Sequence, residues 1–164
     1  MADFEVALTG DWEIAEKIVN RYSHFVKVLN QRILETVAET YYRRLITHFE
    51  KQDLSLAPLA SWYAEWKAMH GLDSRILIAS GEMLSAIKKG NAKNGEVFVG
   101  IKGGRKHKGS GLDVALLALI HEYGSANRGI PARPVFRTTL SELEQILGTL
   151  VGEIATEVWN EVMA

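Results

Sequence analysis

His121 and Glu122 are the one adjacent pair in this chain that belongs to the vocabulary of metal hydrolysis. On a zinc-binding helix, histidines four apart share the metal while the glutamate beside the first acts as base. Here the position four after His121 is Ser125, and Gly124 stops the helix, so the second ligand is missing. The pair is left with two plainer tasks, pinning a turn through hydrogen bonds or lying at an interface. A second pattern is strand, glycine loop, helix: residues 97–101, then Gly104-Arg105-Lys106-His107-Lys108-Gly109-Ser110, then Leu112 onward. A phosphate-binding loop of that glycine spacing needs Gly-Lys-Ser/Thr, with lysine on the β/γ-phosphates and the hydroxyl on magnesium. Gly109 is followed by Ser110-Gly111, so that lysine is absent, and lysines inside the loop do not replace it geometrically. The dinucleotide fingerprint fails as well, because no third glycine follows Gly109 and Gly111. Ser110 lacks the Gly-x-Ser-x-Gly frame of a nucleophile elbow.

The third signal is charge. Lys102, Arg105, Lys106 and Lys108 fall in a glycine-rich segment, 102–111, that reads as a flexible basic loop, mobile when unbound. Four cations suffice for a few phosphate contacts and a salt-dependent affinity. No aromatics are interleaved, so base stacking is not expected. Transient contact with DNA is the minor expectation, and a solvated loop is the default. These residues imply no catalytic group, no metal and no cofactor. The competing class is a soluble nucleotide- or nucleic-acid-binding module that uses this loop.

The frame for these residues is ordinary. The 164 residues are expected to form one domain, 1–164, with a real core. The chain is 47% hydrophobic and 24% charged, which is globular usage rather than disorder. A formal net charge of −1 implies no bulk pull towards nucleic acid or an anionic membrane. Cysteine is absent, which excludes disulfides and thiolate metal sites. The acidic start, Met-Ala-Asp-Phe-Glu-Val, does not read as a signal peptide, and no apolar run has the length of a membrane span.

Residues 4–10 alternate apolar and polar, as a half-buried strand does, and Asp11 is a candidate N-cap. A long helix is expected over about 12–51. Its apolar stripe (Ile14, Ile18, Tyr22, Phe25, Leu29, then Ile33, Val37, Tyr41, Leu45, Phe49) steps almost always by four. Four exceeds the 3.6 residues of a straight turn, so the stripe walks around the helix. Either the helix breaks near Asn30 or its halves meet different neighbours. The plain version is a core helix across a sheet; the sharper one packs one half on its own subunit and the other on a neighbour. Pro58 suits the first turn of a short helix carrying Leu59, Trp62, Tyr63, Trp66 and Met69 on one side, closed by Gly71. Such an aromatic stripe is core or protein interface before it is a ligand platform. Residues 72–80 read as a linker or brief strand, 81–89 as a short helix ending in Lys88-Lys89, 90–95 as a turn, and 96–101 as a strand. A helix over 112–123 and a terminal helix complete the chain. Ser141 with Glu144 matches a capping box, so that last helix starts there or a few residues earlier.

Between these two helices lies the stretch around which the chain is organised. Gly124 ends the first helix, and Pro131 and Pro134 fix φ and push Ile130 and Arg133 towards extended geometry. The result is a stiff corner flanked by Arg128, Arg133 and Arg137, suited to holding a fixed shape against a partner. His121-Glu122-Tyr123-Gly124, a short insert, then Ile130-Pro131-Ala132-Arg133-Pro134-x-Phe136-Arg137 resembles the tail-completion and head–tail joining proteins of tailed bacteriophages. A second patch is similar to their upstream signature: Leu56-Ala57-Pro58-Leu59, Trp62-Tyr63, Lys67, and residues 75–87. The family's Thr-Gly-x-Leu stands here as Ser80-Gly81-Glu82-Met83-Leu84, with one residue more.

The expected fold is α+β, a small mostly antiparallel sheet packed against the long N-terminal helix, with shorter helices and a C-terminal helix. The resemblance implies a non-enzymatic virion protein at the neck or head-proximal tail end, made in the bacterial cytoplasm. Its implied partners are copies of itself in a six-fold or twelve-fold ring, the tail tube or terminator, and the head connector, with transient genome contact and no membrane. Closed rings need heterologous interfaces. The residues expected at them are Tyr123, Ile130, Pro131, Arg133, Pro134 and Phe136, with Trp62 and Trp66 in second place. The basic loop would order on an acidic partner surface.

Overall fold

A computed structural model describes residues 10–163. The strand expected over 4–10 falls, but for Gly10, outside the described residues. The fold is α+β: a long N-terminal helix, a two-stranded antiparallel sheet, three shorter helices and a C-terminal helix.

Helix α1, Trp12–Lys51, runs unbroken for 40 residues. Asp11 caps it, accepting from the Ile14 N–H at 3.3 Å. It ends at Gln52, which adopts a left-handed φ of 54°. That conformation is unusual for a residue with a Cβ. It is over-determined here, because the Gln52 amide donates to the Phe49 and Ile76 carbonyls and accepts from the Ile76 N–H at 2.7 Å. No break occurs near Asn30; the walking stripe is resolved by the two halves having different surroundings. Ala38, Leu45, His48 and Phe49 are buried, whereas Ile14, Ile18, Val19, Tyr22 and Val26 are exposed.

The main partner of α1 is α5, Phe136–Met163, and not a sheet. The two run antiparallel. Tyr41 donates to the Phe136 carbonyl, Arg44 pairs with Glu142 at 2.7 Å, Arg32 with Glu161 at 3.0 Å, and Arg21 donates to the Val162 carbonyl. Trp159 packs edge-on against Tyr22 and Phe25. At 1.5 Å per residue, α1 is about 60 Å long. The pair therefore forms a stalk, and the remaining elements form a head at the C-terminal end of α1.

In the head, α2 is Ser61–Met69, α3 is Glu82–Ala86, β1 is Ile87–Lys89, β2 is Val99–Ile101 and α4 is Val114–Tyr123. Helix α2 closes on Gly71 as expected. The Leu72 N–H reaches the Lys67 carbonyl and the Gly71 N–H the Ala68 carbonyl, the paired bonds of a Schellman end. Pro58 is not in the first turn of α2; it lies in the extended segment before it. Residues 72–80 form no strand, and Lys88-Lys89 do not end a helix. They belong to β1, whose Ile87 pairs with Ile101 and is buried, while Lys89 meets Glu39 of α1 at 2.7 Å. The strand expected over 96–101 is limited to β2. Leu45, Phe49, Ile78, Ile87 and Val135 form the core under the sheet.

Helix α5 begins five residues before Ser141, which is interior to it, so the capping box is not used. The reason is a cap supplied from elsewhere in the chain, by the Glu122 carboxylate. Among the described residues no helix is long and apolar enough to cross a membrane.

Candidate functional site: an apolar groove beside the proline corner

Helix α4 carries the site. Asp113 starts it, accepting from the Ala115 N–H at 2.8 Å through one oxygen and from the Gly104 N–H at 2.6 Å through the other. The bond from Gly104, then that from Ala115, holds its carboxyl below the usual range. This carboxylate sits where a phosphate would be expected on a helix N-terminus, so the strand–loop–helix unit is already filled by its own chain. The basic loop is tied as well. His107 donates to the Leu112 carbonyl, Val114 to that of Arg105, and the Lys108 N–H to Glu82 at 3.0 Å. Lys102, Arg105, Lys106 and Lys108 all stay exposed, but 102–111 is a folded turn rather than a loose one.

The far end of α4 turns on Gly124, at φ 77°. A Cβ there would lie 2.8 Å from the Ala132 nitrogen and 2.9 Å from the Ile130 oxygen. The chain folds back that tightly because Ser125 and Ile130 exchange backbone bonds and the Arg133 N–H reaches the His121 carbonyl at 2.6 Å. Glu122 is buried, and its carboxylate is the missing cap of α5. One oxygen accepts from the Val135 and Phe136 N–H groups at 2.9 and 3.0 Å; the other accepts from Arg137 N at 2.8 Å and Nε at 3.2 Å. Of the two tasks considered for Glu122, pinning the turn is the one realised. The Arg137 guanidinium also lies over the Tyr123 ring, 4.6 Å from its centre.

The residues expected at interfaces divide. Tyr123 is 61% exposed, Pro131 is exposed, and Ile130 and Pro134 are half-buried. Arg133 does not fit that expectation. It is 6% exposed, with Nε donating to the Ala57 carbonyl at 2.7 Å and Nη2 to the Pro58 carbonyl at 2.8 Å. Its fork is consumed by the extended segment before α2, so it clamps two parts of one chain. Phe136 likewise turns inward, edge-on to Phe49 of the core. Trp62 is 71% exposed and Trp66 partly so, forming with Tyr63 a ladder of ring contacts along α2.

Between α2, residues 77–83, α4 and the corner lies a groove of about 730 Å³. Its walls include Leu59, Trp62, Leu77, Met83, Leu117 and Ile130, and its polar groups include Lys67, His107, His121, Arg133 and Glu82. Lys67 is 2% exposed; its ammonium donates to the Arg75 and Ile78 carbonyls at 2.8 and 2.5 Å. Burial lowers its pKa and that of Arg133. His121 Nδ1 is buried without a hydrogen-bond partner; burial, then the nearby Arg133, lowers its pKa. Sequence reasoning placed Lys67 only inside a signature and did not foresee its burial. The available signal was a lone cation one turn after Tyr63 in an aromatic helix. Among the described residues no cluster of histidine and carboxylate side chains could hold a metal ion.

Fold and site together define an α+β protein with a long two-helix stalk and a head bearing an apolar groove over buried cations. No family model matches the chain, and no solved structure matches it. It is similar to the uncharacterized protein MJ0331 of Methanocaldococcus jannaschii, with 27% identity over 106 residues, 65% of this chain and 72% of that protein.

Proposed function

We propose that this protein is a non-enzymatic structural subunit of a tailed-phage virion, forming a ring at the neck or head-proximal tail end. The observation that carries this reading is the pair of unlike apolar surfaces at opposite ends of the molecule. One is the exposed stripe Ile14, Ile18, Val19, Tyr22 and Val26 near the stalk tip. The other is the groove with Trp62, Ile130 and Pro131 on the head. Contiguous exposed apolar patches rimmed by polar residues mark interaction surfaces. Surfaces that differ in shape and lie far apart favour head-to-tail contact over a two-fold patch, and head-to-tail contact gives a ring when its rotation closes and a filament when it does not. The sequence resemblance supports the same reading and supplies the partners: tail tube or terminator on one side, head connector on the other. The alternative of a nucleotide-binding loop loses support from Asp113, which occupies the start of α4.

Light scattering after gel filtration, with negative-stain imaging, tests the proposal. A closed multiple of the 18.3 kDa subunit, seen as rings, is expected. A monomer at tens of micromolar that binds ATP with a defined affinity overturns it.

A further inference from the structure

The groove is apolar, yet neither of its buried cations is ion-paired: Asp73, the carboxylate near Lys67, is bound to Arg75. Lys67 and Arg133 both line it, and both bond only to backbone carbonyls. An ammonium has three N–H groups and a guanidinium five, so each retains donors. Glu82, the carboxylate in the lining, is engaged by the Lys108 N–H and lies 3.5 Å from His107 Nε2. The site therefore suits an extended apolar segment that brings negative charge.

The chain contains such a segment: Asp3-Phe4-Glu5-Val6-Ala7-Leu8 alternates acidic and small groups with Phe4, Val6 and Leu8. Its own groove is out of reach. The groove wall at Leu77 and Ile78 packs on Leu45 and Phe49, about 50 Å along α1 from Trp12 at 1.5 Å per residue. Leu8 lies within about 14 Å of Trp12 on any path, at no more than ~3.6 Å per residue. A neighbouring copy has no such limit, and the segment adjoins the exposed stripe of the stalk tip, so both would engage one neighbour together.

We infer that residues 3–8 of one subunit occupy the groove of the next, with Asp3 or Glu5 meeting the spare donors of Lys67 and Arg133. This rests on the ring reading and names the contact that closes it.

The absence of cysteine permits a direct test. Ala7→Cys, which leaves Asp3 and Glu5 in place, and Ser80→Cys are made as separate proteins; Ser80 is exposed and lines the groove. Mixed and oxidised, they should give a disulfide-linked heterodimer, and the double variant should give a ladder of covalent oligomers. A double variant that links only within one chain, or a mixture that does not link, overturns the inference. Light scattering on the same samples separates the failures. Oligomers without cross-links remove the segment and leave the ring; monomers remove both. A fluorescein-labelled peptide of residues 2–10 provides a second measurement that leaves the protein unmutated. It should bind the groove of a protein truncated before Gly10, and bind at least about tenfold more weakly with Asp3→Asn and Glu5→Gln, since charge-assisted bonds are lost. Equal binding by the neutral peptide, or by a scrambled one, overturns the assignment.

Discussion

Glu122 and Arg137 join α4 to α5 through three hydrogen bonds. The Arg137 backbone N–H and Nε both donate to one Glu122 carboxylate oxygen, and Nη2 donates to the Glu122 carbonyl. With the Val135 and Phe136 N–H groups on the other oxygen, the first turn of α5 is capped by a residue 13 to 15 positions upstream. Glutamine has the same shape but presents N–H groups to donors at one position. Glu122→Gln is expected to destabilise by about 2–3 kcal/mol, as for hydrogen bonds to a buried charged group. Urea denaturation checks this; a loss below about 0.5 kcal/mol would mean that the cap contributes little.

Arg133 was expected at a partner surface, where alanine would leave folding intact and weaken assembly. Its bonds to Ala57 and Pro58 reverse that order. Arg133→Ala removes a buried fork that holds the entry to α2 against the corner, and should cost about 2–3 kcal/mol in stability. Arg133→Lys should recover only part, because one ammonium cannot reproduce the planar fork. Thermal melting of both variants decides it; a wild-type melt for the alanine variant, with oligomers lost, would restore the interface role.

Gly124 and Gly129 both have positive φ, 77° and 62°, yet they differ in surroundings. A Cβ at Gly129 meets nothing within 4 Å, while at Gly124 it meets two backbone atoms below 3.0 Å. Gly129→Ala should cost about 1 kcal/mol, the conformational term alone. Gly124→Ala should cost about 2–4 kcal/mol, since its φ of 77° with ψ of 177° is a region essentially confined to glycine and backbone must shift as well. Equal costs would mean the corner opens easily.

Much of this fold could be read locally, and the failures share one cause. The ends of α1, the Asp11 cap, and the glycine stops at Gly71 and Gly124 depend on residues within a few positions, and these expectations match. The start of α5 depends on Glu122, too far upstream to appear as a local box. Ile87 and Lys88 belong to a strand because Ile101 and Gly100 pair with them, a contact with no local signature. At the site, Tyr123, Pro131 and Trp62 are exposed. Lys67 and Arg133 are buried because their partners are backbone carbonyls, which no side-chain pattern announces.

His121 gives the fold a pH dependence of determined sign. Burial and Arg133 hold its folded pKa below the unfolded value of 6.5. The unfolded chain therefore takes up the proton first as pH falls, so stability is full above about 6.5 and declines below it. Melting temperature should fall between pH 7.5 and 5.5, and His121→Gln should flatten that part of the profile. An unchanged slope in the variant would assign the dependence to other groups.

The stalk tip separates folding from assembly most cleanly. Val19 is 62% exposed on α1, beyond the core that Leu45 and Phe49 anchor, so its replacement removes little internal packing. Surface changes of this kind usually alter stability by less than about 0.5 kcal/mol. An interface that buries the stripe would be broken by a charge placed in it, because desolvating an unpaired carboxylate costs several kcal/mol. Val19→Glu should therefore leave the melting temperature within about 2 °C of wild type while converting the proposed ring to a monomer. Gel filtration with light scattering reads the second quantity and calorimetry the first. A variant that keeps its oligomeric mass frees the stripe from any role in assembly, and head-to-tail contact through the stalk would then be wrong.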